Sequence, residues 1–219
     1  MKLLIKCIAF LVLISINCSL FAQPFINEIK AFRSTDSLST PANNAILLIG
    51  SSSFTNWKDV AKYFPDQTII NRGFGGSSLP HLIMYAEDVI FKYNPKQIII
   101  YCGENDLTGG STITAETILE RVKMLHGLIR SKFKKVPIAY ISMKPSPSRE
   151  KYLGTMQKAN ELIKKFMGEQ KKCAYIDVYH SMLDAEGKIL THLFLSDNLH
   201  MNAEGYKIWQ AVMTPYLRK

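Results

Sequence analysis

The chain has 219 residues, 47% of them hydrophobic and 21% charged, with four cysteines. That balance is ordinary for a globular protein and excludes a disordered, collagen-like or disulfide-dense chain. The formal net charge is +9, which suits an acidic surface or an anionic ligand. The lysines are scattered and no nucleic-acid motif accompanies them, so a solvated basic surface without a nucleic-acid partner is expected.

The chain opens on Met1-Lys2-Leu3-Leu4-Ile5-Lys6, a short basic stretch, followed by an apolar run over residues 7–16. That run is short for a bilayer span and fits the core of a secretory signal peptide. Residues 1–22 therefore read as a signal peptide cleaved after Ala22, and residues 23–219 as one domain, exported to the periplasm or beyond and not inserted in a membrane after cleavage. Leu20 is larger than the usual small residue before such a site. Cys18 opens a lipid-attachment reading and the run an uncleaved-anchor reading, although Asn17 is not the small residue that lipid attachment prefers. Loss of Lys2 and Lys6 leaves +7 of the +9. Cys102 and Cys173 then remain, both in apolar strand-like runs where free cysteine is common. They are expected to be unpaired.

Residues 23–44 are polar and read as a helix or arm, then a loop. From Ala45 onward two signals alternate. Apolar runs at Ala45–Ile49, Thr68–Ile70, Gln97–Tyr101, Pro137–Ser142 and Cys173–Val178 predict five strands, most of them buried on both faces. Helical stretches are predicted at Trp57–Tyr63, Leu79–Lys92, Ala115–Lys132, Ser148–Glu169 and Asn202–Tyr216. This alternation implies an α/β fold: a three-layer α/β/α, flavodoxin-like, doubly wound parallel sheet of five strands. Ligands of such sheets bind beyond the carboxyl ends of the strands, so the residues after each strand carry the search for chemistry.

After the first strand stands Gly50-Ser51-Ser52-Ser53-Phe54. It reads as a nucleophile, a phosphate-gripping loop, or a helix cap by Ser53 or Thr55. After the second stands Asn71-Arg72-Gly73-Phe74-Gly75-Gly76-Ser77-Ser78. Its glycines allow close backbone approach to a ligand, or merely a tight turn. After the third, Cys102-Gly103-Glu104-Asn105-Asp106 offers an amide donor for a developing oxyanion, or a polar turn capping a helix. The loop Met143-Lys144-Pro145-Ser146-Pro147-Ser148-Arg149 is stiffened by two prolines. It reads as a pocket wall without chemistry, with Ser148 capping the next helix. Near the end, Asp197-Asn198-Leu199-His200 can set a carboxylate behind an imidazole, or cap the last helix. His81, His126, His180 and His192 read as surface or core residues without a comparable local carboxylate, with His192 a minor pocket candidate.

Taken together, the four segments resemble the four blocks of the SGNH hydrolases, the GDSL-like lipase/acylhydrolase family. The nucleophile falls on Ser52, the backbone donor on Gly76, the oxyanion amide on Asn105, and the catalytic pair on Asp197 and His200. The tail Leu199-His200-Met201-Asn202-Ala203-Glu204-Gly205-Tyr206 is similar to the branch related to platelet-activating-factor acetylhydrolase. The resemblance runs from about Ala45 to Leu217. Ser51 stands where the Gly-Asp-Ser-Leu signature has Asp, and Asn198 is a mild variant of the last block.

What the resemblance implies is an ester hydrolase with a Ser52–His200–Asp197 triad. Its oxyanion hole would be made by the N–H groups of Ser52 and Gly76 and the amide of Asn105, with no metal or organic cofactor. No long apolar lid is visible, which points to short-chain or carbohydrate acetyl esters. The competing reading is a non-catalytic flavodoxin-like module that grips an anion or carbohydrate. A phosphoryl-handling enzyme is a third, without a metal cluster in the sequence to support it. Oligomeric state leaves no signature.

Overall fold

A computed structural model describes residues 23–110 and 112–218. The signal-peptide reading of residues 1–22 lies outside them. Five strands form one sheet: β1 (Ala45–Gly50), β2 (Ile69–Gly73), β3 (Pro95–Tyr101), β4 (Ile138–Ile141) and β5 (Cys173–Ile176). All are parallel, in the order β2-β1-β3-β4-β5. This is the flavodoxin-like order, with its switch point between β1 and β3.

Side chains alternate across each strand, and the core divides accordingly. Leu47, Ile49, Ile98, Ile100, Ile138 and Tyr140 face one side. They pack on α1 (Ile26–Leu38), α4 (Leu79–Met84), α5 (Ala115–Lys132) and α6 (Leu153–Glu169). Ile46, Leu48, Ile99, Tyr101, Ala139 and Ile141 face the other, against α2 (Ser52–Thr55), α3 (Val60–Tyr63) and α7 (Ala203–Met213). In α5 the buried residues Ile118, Val122, Leu125 and Ile129 recur at helical spacing. Thr114 caps its start by accepting from the Thr117 N–H at 3.2 Å.

The helices depart from the sequence reading at their ends. The stretch 57–63 is helical only in α3 (Val60–Tyr63); a turn over residues 56–59 separates it from α2, a one-turn helix the sequence reading did not place. The stretch 79–92 breaks after Met84 and resumes as a wide π turn over Glu87–Phe91. A 3-10 segment, Pro147–Tyr152, precedes α6, so Ser148 caps nothing; its N–H donates to the Asn198 carbonyl at 3.0 Å. β2 runs on to Gly73, which places Asn71 and Arg72 in the strand rather than after it. An edge strand tolerates these polar residues because its outer side has no partner strand.

Arg72 bonds Asp36 of α1, and Tyr93 Oη donates to the same carboxylate at 2.7 Å. Together they pin the N-terminal helix to the sheet. Burial raises the Asp36 carboxyl, but the Tyr93, Lys92 and Arg72 contacts outweigh it, and the group stays below its ordinary value. Cys102 and Cys173 are both free thiols.

Gly50 ends β1 at φ 151°, where a Cβ would lie 1.9 Å from the Tyr101 carbonyl oxygen. Alanine there forces β1 and β3 apart at the switch point. Gly50→Ala is expected to cost about 2–4 kcal/mol, read as a lower denaturation midpoint with an unchanged m-value. An unaltered midpoint would mean that the strands can part freely here.

Candidate active site

The chain leaves β1 through Ser51, whose N–H donates to the Tyr101 carbonyl at 3.1 Å and extends the ladder by one residue. It then turns at once into α2. The Phe54 and Thr55 N–H groups return to the Ser51 carbonyl, and that of Asn56 to the Ser52 carbonyl at 2.8 Å. Ser52 is thus the first helical residue. Its own N–H is one of those a helix leaves without an internal partner. The side chain is half-buried. No side-chain cap bond is made at this helix start, so the capping alternative does not account for the serines.

Two contacts clamp the turn. Asn71 Nδ2 donates to the Phe54 carbonyl at 2.7 Å, and Tyr206 Oη donates to the Ser53 carbonyl at 2.9 Å. Gly73 lies directly beneath, where a Cβ would come within 2.6 Å of the Phe54 Cβ. The sequence reading placed Asn71 and Tyr206 inside recognised blocks but gave neither a task. Only the fold shows that they hold the serine turn.

The glycine loop folds over the end of β1. The Phe74 N–H and Ser77 Oγ both donate to the Gly50 carbonyl, at 2.9 and 3.1 Å. A Cβ on Gly75 would stand 4.0 Å from the Ser52 Cβ, and exposed Gly76 follows at φ 79°. From β3, Asn105 donates through Nδ2 to the Ser77 carbonyl at 3.0 Å. One amide hydrogen is thereby fixed and the other left free.

Beside it, buried Asp106 accepts from the Leu79 N–H at 3.0 Å and from Arg121 Nη1 at 2.7 Å. Burial lifts its carboxyl above the ordinary range despite these bonds. The Ser78 N–H donates to His81 Nδ1 at 3.1 Å, so that nitrogen carries no proton. Burial also lowers the pKa of His81, which serves as a neutral capping residue.

The fourth block closes on itself. Asp197 Oδ1 accepts from the N–H groups of Leu199 and His200, both at 2.9 Å, while Oδ2 meets His200 Nδ1 at 2.6 Å. Asn198 takes φ 55° to make the turn, which explains an Asn where glycine would also serve. The His200 N–H, its ring and the Leu199 N–H pull the Asp197 carboxyl down to about 2. With Nδ1 bonded to the carboxylate, Nε2 is left as the basic nitrogen. The cap of α7 is Asn202, not Asp197: Asn202 Oδ1 accepts from Glu204 and Gly205.

One pair was overlooked in the sequence. Asp177 and His180 have the same spacing, with Nδ1 2.9 Å from Oδ2. They follow β5, three strands from β1, or about 14 Å at ordinary strand spacing. The His180 side chain is 77% exposed. Position in the sheet, not the local motif, separates the two pairs. Behind Asn105 lies a second missed feature. Lys144 Nζ bonds both Glu104 oxygens at 2.9 and 3.0 Å, and Tyr101 Oη donates to Oε2 at 2.5 Å, all buried.

A cavity of about 370 Å³ opens beside Gly76 and Asn105, lined further by Ser78, His81, Thr108 and Arg121. Asn105→Ala is expected to lower kcat by about 10²–10³ with little change in KM. A mutant with wild-type kcat would remove the amide from the chemistry.

The GDSL-like lipase/acylhydrolase family model matches residues 36–208. A multidomain esterase of Ruminococcus flavefaciens is 30% identical over 145 residues, which is 62% of this chain and 18% of the relative. The chain thus spans under a fifth of that protein. A Streptococcus pneumonia structure described as a candidate platelet activating factor superposes with a TM-score of 0.76 at 19% identity, over 88% of this chain and 92% of the other. A GDSL-like lipase of Bacteroides thetaiotaomicron gives 0.71 at 18% identity, over 86% and 96%.

Proposed function

The chain belongs to the GDSL-like lipase/acylhydrolase family, the SGNH hydrolases; from that premise we propose that it is an exported carboxylic ester hydrolase that cleaves short-chain or carbohydrate acetyl esters with Ser52, His200 and Asp197. The observation that supports the triad is the closed Asp197–His200 turn, which leaves Nε2 as a base just ahead of α7, the helix whose Tyr206 holds the serine turn. His200 takes the Ser52 proton as Oγ attacks the ester carbonyl. Asp197 holds the ring and stabilises the imidazolium. The N–H groups of Ser52 and Gly76 and the free amide hydrogen of Asn105 receive the oxyanion. His200 then protonates the leaving alcohol, and water, activated by the same ring, releases the acid and frees the serine.

The cavity beside Gly76 and Asn105 supports the small acyl group. Ser78, His81, Asn105, Asp106, Thr108 and Arg121 make about half of its wall polar, which suits acetyl better than a long alkyl chain. The basic N-terminal stretch and apolar run support export. An ester series from acetyl to octanoyl is the test, followed by acetate release from acetylated sugars. The expected kcat/KM is highest for acetyl and falls with length. A steady rise to octanoyl would replace this reading with a lipase.

The pH dependence has a defined sign. The Asp197 carboxyl is depressed from 3.8 to about 2, so its contribution is complete above the ordinary carboxylate range and is lost only as pH falls towards 2. The kcat/KM profile is therefore expected to show no step from Asp197 above about pH 4. A step near the ordinary carboxylate range, absent from Asp197→Asn, would show that this carboxyl is not held down.

A further inference from the structure

The loop after β4 spans the rim between the two halves of the site. Lys144 and Ser146 reach Glu104, the neighbour of Asn105, with Ser146 Oγ 3.4 Å from Oε1. Asn160 grips both backbone groups of Met143, at 2.9 and 3.0 Å. The Ser148 N–H then reaches the Asn198 carbonyl, between Asp197 and His200. Arg149 comes next, and its own N–H returns to the Ser146 carbonyl at 2.9 Å. Its backbone is fixed at the point where this loop meets the histidine turn.

Among the described residues Arg149 and Arg218 are the arginines whose side chains bond no carboxylate or carbonyl, and of the two Arg218 is exposed and Arg149 half-buried. Arg33, Arg72 and Arg121 each bond a carboxylate, and Arg130 bonds the carbonyls of Phe133 and Val136. Arg149 is half-buried and enters none of the ion pairs among the described residues. Its Nε is sequestered without any hydrogen-bond partner. Burial of that inner end restrains the guanidinium, while its outer nitrogens keep their donors unmatched. A restrained, unpaired planar fork is a poor structural element and a good receptor for a planar or tetrahedral oxyanion.

We propose that Arg149 is a substrate-recognition residue that holds a carboxylate or phosphate group of the substrate at the rim of the site. It rests on the esterase reading of Ser52 for its purpose, but not for its measurement. The natural substrate is then an anionic ester, such as an acetylated acidic sugar or an acylated phosphate-bearing alcohol. The high positive charge of the chain supports the approach of such a molecule.

Calorimetric binding of glucuronate against glucose, and of glycerol phosphate against glycerol, tests this on the purified protein at low ionic strength. At least one anion is expected to bind about tenfold or more tightly than its neutral counterpart. Which arm shows the preference identifies carboxylate or phosphate. Arg149→Ala is expected to abolish the preference, and Arg149→Lys to keep part of it, with both variants folded by circular dichroism. Equal binding of anion and neutral by the wild type, or a preference surviving in Arg149→Ala, would overturn the proposal. Fluorophosphonate labelling of the same samples reports separately on Ser52. An anion preference without an adduct removes the esterase reading and keeps the anion site; an adduct without a preference does the reverse.

Discussion

Ser52→Ala is expected to lower kcat by about 10⁴–10⁶ while leaving stability within about 0.5 kcal/mol of the wild type. The two halves of that expectation have separate causes. Ser52 is half-buried, and the bonds that shape its turn are made by backbone groups, by Asn71 and by Tyr206, not by its own hydroxyl. Removing Oγ therefore takes nothing from the fold. For turnover the same atom is the one proposed to attack the carbonyl, so on that proposal the covalent route disappears. What survives is the rate that the oxyanion donors and bound water supply alone. His200→Ala should be about as severe, and the double variant no worse than either single one, because residues acting as a unit are not additive. Multiplying effects in the double variant would show that the two act in separate steps.

Lys144→Met is the second large effect, and it falls on stability first. Lys144 is 1% exposed and Glu104 4%. Truncating one partner leaves a buried carboxylate facing only Tyr101 and Ser146. Breaking such a pair costs about 3–5 kcal/mol. In a domain of this size that corresponds to a fall of roughly 10 °C in Tm. The double variant Lys144→Met with Glu104→Met removes both charges and should recover much of the loss. Activity should not recover with it. Glu104 adjoins Asn105, so the repacked pair leaves the amide less well held, and kcat stays low while KM changes little. A double variant no more stable than Lys144→Met would mean that the two side chains do not act as a pair.

The strand pattern was legible because the inner strands are buried on both faces. Runs such as Ala45–Ile49 and Gln97–Tyr101 admit little else, and the order of strands is the flavodoxin-like one expected of the α/β alternation. The helix ends were harder. Trp57, Val60 and Phe64 recur at helical spacing and share one cluster with Trp209, yet Trp57 stands in the turn before α3 and Phe64 just past its end. Apolar spacing records the buried face, not the break between the helices. The candidate blocks were legible by position, since Ser52, Asn105, Asp197 and His200 all sit beyond strand ends or before the last helix. The contacts that hold it were not. Lys144 and Glu104 are 40 residues apart and Tyr206 and Ser53 are 153 apart, separations that no local pattern encodes. Asp177 and His180 are the reverse case. They share the motif, and only their place on the far edge strand sets them aside.

Fluorophosphonate labelling of the purified protein, with the adduct located by peptide mass spectrometry, separates an activated serine from an inert one. A single adduct on Ser52 is expected, lost in His200→Ala although the serine remains. An unlabelled but folded wild-type protein, or an adduct on another serine, would contradict it.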